Sequence, residues 1–388
     1  MRGTPVRAAG AAGSNSTLPA GPIATPARGR TIATRVQVSV QPLGRITYDG
    51  LTMPIVSPDG RFLAAQTGEA ATWDVLLGAP ASGTPRNAAV AVYRIDGKAT
   101  EPVDLAEATD GLLLSRSADE SEFLAEWPKA DGTRSIVAVD WVTGRRRVVV
   151  HGPHMFRTPS FTAGGDVVCI RAGVTGESGI DGGGDLVLIT RGGAAAVKSA
   201  EVGAYTAAMA VGGDIVLAIQ SSRSGLELHA VRIARGGSGA TPALGAVIAR
   251  RRIASVQDPL IAFQVFAPVQ SVAPARRAGD VSAESPPVIF SPLTNSMAVV
   301  DMDSAQLRPL AAGSVGAAWW AGPAQSGWFI TTPDGLEFQP GPGEPAAGVV
   351  SRVFMPRAMP RGDGSLILLG PTMGTPDRLD VVRMRVGE

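Results

Sequence analysis

An all-β fold built from repeated four-stranded sheets is what this sequence predicts, and three observations carry the prediction. The composition is that of short strands and tight turns: 45% of residues are hydrophobic, 18% are charged, and 48 glycines and 30 prolines punctuate the chain. A unit of apolar lead-in, tight turn and strong apolar strand recurs along it. The strong strands are nearly continuous runs of Val, Ile, Leu and Ala, the pattern of strands covered on both faces. Small antiparallel sheets that cover one another's faces in a ring form a β-propeller, and seven blades are expected.

The unit is clearest in "PIVSPDGRFLAAQ", where Ser57-Pro58-Asp59-Gly60 makes the turn, because Asp and Gly tolerate the backbone angles a tight turn needs. It returns as "LLLSRSADESEFLAEW" around Asp119, "TPSFTAGGDVVCIRA" around Gly165 and "AYTAAMAVGGDIVLAIQ" around Gly213. The fifth copy is read in "IASVQDPLIAFQVFA", turning at Asp258-Pro259. The sixth is "VGAAWWAGPAQSGWFIT", turning near Ala324, and the seventh "FMPRAMPRGDGSLILLG", turning at Asp363-Gly364. The spacing of these turns scatters about the ~40–50 residues of a propeller blade.

Two further strands usually follow each strong one: "AAVAVYRID" and "TEPVDLA" after the first, "RSIVAVDW" and "RRRVVVH" after the second, "PPVIFSP" and "SMAVVDMD" after the fifth. In the last repeat "RVFMP", "GSLILLGP" and "LDVVRMRV" supply three strands. The fourth is expected from "TRVQVSVQP", Thr34 to Pro42, whose alternation suits an outer strand. Pairing the two ends of the domain in one sheet closes the ring and leaves no open edge. The propeller is thus expected over 31–388, after a segment at 1–30 that is rich in Ala, Gly, Pro and Arg and reads as a disordered tail.

The "SPDG" turn ahead of an apolar strand resembles the WD40-like repeat of TolB-type propellers and of the propeller domains of prolyl oligopeptidases. The likeness is specific at Ser57–Gly60, degenerate in the other copies, and covers most of 45–388 as a repeat pattern. It departs from true WD40 repeats, since no Gly-His pair opens a blade and Trp73-Asp74 follows the wrong strand. What the resemblance implies is the propeller and not the peptidase. A Ser-His-Asp hydrolase of that kind needs a Gly-x-Ser-x-Gly elbow and a later histidine. The nearest pentapeptide is Ala312-Gly313-Ser314-Val315-Gly316, and the last histidine is His229.

A formal net charge of +1, from 35 basic and 34 acidic residues, provides no global field to recruit nucleic acid or an anionic membrane. Lysine occurs only at Lys98, Lys129 and Lys198, so nearly every cation is arginine, as a GC-rich genome would produce. One cysteine, Cys169, excludes an intrachain disulfide and is expected as a buried, inert thiol in "DVVCIRA". The longest uncharged run with large apolar residues, Pro309 to Pro333, is interrupted throughout by Gly, Pro, Ser and Gln. It reads as two strands around a turn, and no membrane span is expected. No apolar stretch of signal-peptide type follows the early arginines, so a cytoplasmic location is expected as written, and a cell-envelope one if the true start lies upstream.

Function is expected on the connections. In a four-stranded antiparallel blade, the link between second and third strands shares its face with the blade-to-blade link. Three such links are long: Thr67–Ala88, Gly173–Asp185 and Ala267–Pro286. Long connections in a compact fold are commonly either functional or tolerated insertions, and both readings stand here. Candidates for binding are Trp73, Asp74 and Arg86 on the first, Glu177, Asp181 and Asp185 on the second, and Arg276, Arg277 and Asp280 on the third. Trp and Arg are typical interface anchors. The acidic set could hold Ca²⁺ in principle, but its spacing matches no EF-type loop. His151 and His154 flank Gly-Pro and are expected as exposed turn residues. No catalytic residue, metal or cofactor is therefore assigned. The reading is a non-catalytic binding or scaffolding propeller for a protein or peptide, with a hydrolase or lyase using carboxylates and arginines around the central funnel as the alternative.

Overall fold

The computed structural model describes residues 36 to 387, with breaks at 69–87, 104–110, 173–182, 199–204, 256–286 and 352–356 and at shorter gaps of four residues or fewer. The expected tail lies outside the described residues. All regular structure among them is β-strand, arranged in seven antiparallel sheets.

Sheet 1 runs β2 (Ile55–Val56), β3 (Phe62–Thr67), β4 (Ala89–Arg94), β5 (Glu101–Pro102); sheet 2 runs β6 (Leu112–Ala118), β7 (Glu122–Pro128), β8 (Arg134–Asp140), β9 (Arg146–Gly152). Sheet 3 holds β10 (Met155–Phe161), β11 (Val167–Ala172), β12 (Asp185–Ile189) and β13 (Val197–Lys198). Sheet 4 holds β14 (Tyr205–Val211), β15 (Ile215–Ser222), β16 (Gly225–Ala234) and β17 (Ala243–Ala254). The described strands of sheet 5 are β18 (Val288–Ser291), β19 (Ser296–Val300) and β20 (Leu307–Pro309). Sheet 6 is β21 (Gly316–Ala321), β22 (Ser326–Thr332), β23 (Gly335–Gln339) and β24 (Ala347–Ser351). Sheet 7 joins the ends of the domain, in the order β1 (Val38–Thr47), β27 (Thr375–Val386), β26 (Leu366–Thr372), β25 (Arg357–Pro360).

Packing explains why the second strands are apolar without interruption. In β3, Leu63 and Ala65 pack towards sheet 7, while Phe62 and Ala64 pack towards sheet 2. Likewise Val168 and Ile170 of β11 face sheet 4, and Val167 and Cys169 face sheet 2. Alternation still operates, but both faces are interior, so no polar residue marks the period. Seven core clusters result, one between each pair of neighbouring sheets including sheets 7 and 1. That unbroken circuit makes the molecule a seven-bladed β-propeller. First strands of neighbouring sheets touch, β2 with β6, β6 with β10, β10 with β14 and β21 with β25, so they surround the axis.

The N-terminal strand closes the ring as expected, but it runs to Thr47 instead of ending at Pro42. A bulge between Pro42 and Gly44 resets the register and lets pairing with β27 continue to Arg378. Leu43 and Ile46 thereby reach the core against sheet 1, and the Thr100 N–H donates to the Leu43 carbonyl at 3.0 Å.

Two repeat boundaries differ from expectation. Ile253 and Ala254 end β17 and belong to sheet 4, not to the lead-in of the fifth repeat; the turn expected at Asp258-Pro259 lies outside the described residues. "SMAVV" is followed in its sheet by β20, which sequence patterning missed because it is three residues long and half exposed. In the last repeat the described first strand is Arg357–Pro360, and the expected "RVFMP" lies outside the described residues. The uncharged run from Pro309 forms β21 and β22, as expected, and no helix among the described residues is long and apolar enough to cross a membrane.

Candidate functional site

Antiparallel topology sorts the connections onto two faces. First-to-second and third-to-fourth links share one, called here the turn face. Second-to-third and sheet-to-sheet links share the other, the loop face.

The turn face is built from short, internally bonded turns. At Ser57-Pro58-Asp59-Gly60 the Gly60 N–H donates to the Ser57 carbonyl at 2.7 Å, and Gly60 takes a φ of +68° that disfavours any side chain. The buried Ser57 Oγ donates to Asp59 and accepts the N–H groups of Arg61 and Phe62. The conspicuous motif is thus a structural turn. Arginines then tie sheet to sheet. Arg147 binds Glu122 at 2.7 Å and donates to the Arg191 carbonyl of sheet 3 at 3.3 Å. Arg235 of sheet 4 binds Asp214 at 2.7 Å and Asp166 of sheet 3 at 3.5 Å. Arg383, buried in β27, donates to the Ile95 and Gly97 carbonyls of sheet 1 at 3.0 and 2.7 Å.

On the loop face, residues 68–88 and 173–184 join second to third strands in sheets 1 and 3, as expected. The corresponding links in sheets 2, 4 and 6 are short, spanning 129–133, 223–224 and 333–334. Gln66 fixes the root of the first long link. Its buried amide donates to the Ala89 and Gly111 carbonyls at 3.0 Å and accepts the Leu113 N–H, joining sheet 1 to sheet 2. Sequence reasoning passed over Gln66, although a lone amide in "FLAAQT" was the available signal.

Of the nine candidate residues, the structure places Asp185. It opens β12 opposite Arg171 and pairs with it at 3.2 Å, so it is a strand residue with a cross-strand partner. Trp73, Asp74, Arg86, Glu177, Asp181, Arg276, Arg277 and Asp280 lie outside the described residues. β18 is followed by two strands before the link to β21, so the chain enters β18 from the turn face; the segment 267–286 itself lies outside the described residues.

Among the described residues, His229, Trp319, Trp320 and Trp328 pack between strands and sheets. His151 is an exposed residue within β9, not a turn residue, and its Nδ1 lies 2.9 Å from the Ser135 Oγ; His154 lies outside the described residues. His229 is buried in β16, with Nδ1 3.3 Å from the Tyr205 hydroxyl and Nε2 3.4 Å from Glu227. Trp319 packs towards sheet 5 with its ring centroid 4.9 Å from that of Trp328, while Trp320 packs towards sheet 7 and donates to the Gly364 carbonyl at 2.9 Å. Adjacent tryptophans thus fill two different sheet interfaces. Cys169 is fully buried, and burial pushes its thiol up to about 12. Among the described residues no group of three His, Cys, Asp or Glu is placed to hold a metal ion. The described first strands that surround the axis carry arginines and no carboxylate.

No family model matches the chain, and no curated protein does either. Solved structures of propeller type are similar to it at low identity. The WD40 domain of Neurospora crassa Pan2 is 9% identical with a TM-score of 0.46, covering 89% of this chain and 95% of that one. A candidate 6-phosphogluconolactonase from Bacteroides fragilis NCTC 9343 is 13% identical with a TM-score of 0.43, covering 82% and 100%. A gluconolactonase from Xanthomonas campestris is 12% identical with a TM-score of 0.35, covering 89% and 92%. These likenesses concern the fold alone; the assignment of the propeller rests on the sheet order and the seven inter-sheet cores.

Proposed function

We propose that this propeller is a binding or scaffolding protein that engages a protein or peptide partner through its loop face. One observation carries the reading: the two long second-to-third links arise from sheets 1 and 3 on the same face, while their counterparts in sheets 2, 4 and 6 are cut to tight connections. Uniform blades need no such inequality for packing, and length concentrated on one face of a rigid scaffold is where recognition is commonly built. Trp73, Asp74 and Arg86 on the first link, with Glu177 and Asp181 on the second, supply the aromatic and charged groups such an interface uses.

The test is affinity capture from the native organism with the full chain, beside variants in which 69–87 or 174–182 is replaced by a short Gly-Ser linker. A partner held by the parent chain and lost from one or both variants, at unchanged melting temperature, is the expected outcome. Undiminished capture by a variant lacking both segments would overturn it.

A further inference from the structure

Of the two histidines among the described residues, His151 is exposed and His229 is buried. An apolar side chain would fill the space of His229 without a polar ring to satisfy, so the reason for an imidazole lies in its partners. The residue stands in the third strand of sheet 4, opposite Ala218 of β15, and Ala218 belongs to the core shared with sheet 3. Cross-strand partners share a face, so the ring looks into the seam between sheets 3 and 4, which Ile170, Leu186 and Leu188 line from the other side.

Two groups hold the ring. Nε2 lies 3.4 Å from Glu227 Oε2, and Nδ1 lies 3.3 Å from the Tyr205 hydroxyl. A carboxylate only accepts, so Nε2 carries the hydrogen and the Nδ1 lone pair takes the Tyr205 O–H. The other Glu227 oxygen accepts the Ser222 and Ser224 hydroxyls at 3.3 and 3.4 Å. Tyr205 in turn ties the two sheets together. Its N–H donates to the Gly184 carbonyl at 3.1 Å, and its carbonyl accepts the Gly184 N–H at 2.8 Å. A side chain at Gly184 would strike the Arg171 carbonyl, so this bridge sits in a close approach of backbones. The imidazole is therefore one hydrogen bond away from the bridge at the loop-face end of the seam.

A second proton, on Nδ1, would turn that acceptor into a donor and force the Tyr205 hydroxyl to turn its hydrogen away. It would also place a cation in an apolar seam. Glu227 compensates in part, but it lies at 3.4 Å and is partly in water, and such a contact is worth less than burying a cation costs. The other charges around the ring oppose protonation. Arg157 of β10 lies on the side of sheet 3 that faces sheet 4, because its cross-strand partner Ile170 belongs to that core. Arg250 and Arg252 of β17 stand opposite His229 and Glu227, and Arg223 lies in the turn between β15 and β16. Asp185 of β12 is engaged by Arg171. β14 carries no ionisable side chain but Tyr205, and β15 carries none.

We propose that His229 is a proton-sensitive latch on the seam between sheets 3 and 4. Neutral, it holds the Tyr205 hydroxyl and keeps the seam shut; protonated, it releases that hydroxyl and the Gly184–Tyr205 bridge opens. Protonation is opposed in the folded chain and free in the unfolded one. The contribution to stability is therefore complete above the ordinary imidazole range near about 6.5 and is lost as pH falls below it.

Thermal melting of the full chain between pH 8 and pH 5, with hydrogen exchange read by mass spectrometry, tests this. The melting temperature should fall by about 2 °C or more across that range. Amides of Tyr205–Val211, corrected for intrinsic rate, should exchange about tenfold faster at the acid end, while those of β22 in sheet 6 should not. His229→Gln offers an amide N–H to Glu227 and a carbonyl to Tyr205 at every pH, and should remove both effects. His151→Gln should keep them, and Glu227→Gln, which withdraws the compensating carboxylate, should deepen the acid loss. If His229→Gln does not fold, nitrogen resonances of the labelled histidines in the parent chain decide. A ring that stays in the Nε2–H form until the seam opens supports the latch; one that gains its proton with Tyr205–Val211 still protected overturns it. A parent chain indifferent to pH over this range, or the same acid loss in His229→Gln, overturns it as well.

Discussion

The two faces of the ring are held together by different means. On the turn face, arginines reach from sheet 2 to 3, from 4 to 3 and from 7 to 1, and the turns they bind are short. On the loop face the tie at the root of the first long link is a buried amide, Gln66, and beyond it the chain is free to vary in length. Charge fixes one face and leaves the other to carry insertions. The turn face is therefore marked by its arginine bonds from sheet to sheet, and the loop face by unequal links.

Several experiments would break or sharpen that contrast. The largest effect is expected from deleting 36–47. It removes the outer strand of sheet 7 and the Leu43 and Ile46 side chains, about 3–6 kcal/mol of burial by themselves. A fall in melting temperature on the order of 10 °C or more should follow; an unchanged melting curve would mean the ring is not closed by β1. Trp328→Ala and Trp320→Ala should each cost about 3–5 kcal/mol in denaturant unfolding, since both rings are buried between sheets. Trp73→Ala on the loop face should stay within about 0.5 kcal/mol. A large loss there would make Trp73 a core residue and remove it from the proposed interface.

Arg383→Met strips two carbonyls of their buried donor and should cost about 1–3 kcal/mol. Arg235→Met, at a more exposed pair, should cost less than about 1 kcal/mol. Equal losses at the two sites would mean that exposure does not grade these ties. Cys169 should resist thiol reagents at pH 8 until denaturant opens the fold, because its thiol is pushed up to about 12 by burial. Immediate labelling of native protein would contradict the packing of β11 between sheets.

The smallest effect concerns Asp140, which ends β8 and caps the turn that follows on the turn face. Burial raises its pKa, but the N–H and hydroxyl of Thr143 and the N–H of Val142 outweigh that, and the net shift is downward. A lowered folded pKa means the charged form contributes stability above the unfolded pKa, and the contribution is lost as pH falls through the folded value. Asp140→Asn should melt slightly below the parent at neutral pH and together with it in acid. A gap that widens in acid would reverse the sign of this argument.

Much of the ring could be read from the residues, and the reason is burial. β3, β11 and β15 are apolar on both faces because neighbouring sheets cover both, so each stands out after a Gly or Asp turn. β20 and β13 could not be read in the same way. They are three and two residues long and sit on the outer edge, where side chains are not selected to be apolar. Of the site, the unequal links were readable as gaps between strands. The root at Gln66 was not, because its partners Gly111 and Leu113 are distant in sequence.

The sequence by itself determined the number of repeats, the pairing of both ends in one sheet, and the reading of "SPDG" as a turn. Each follows from local chemistry: turn residues that tolerate positive φ, and strands that must be covered on both sides. Tertiary structure alone decided which links share a face and which arginines bridge sheets. Those properties depend on strand count and on residues from different sheets meeting in space, and no local pattern encodes either.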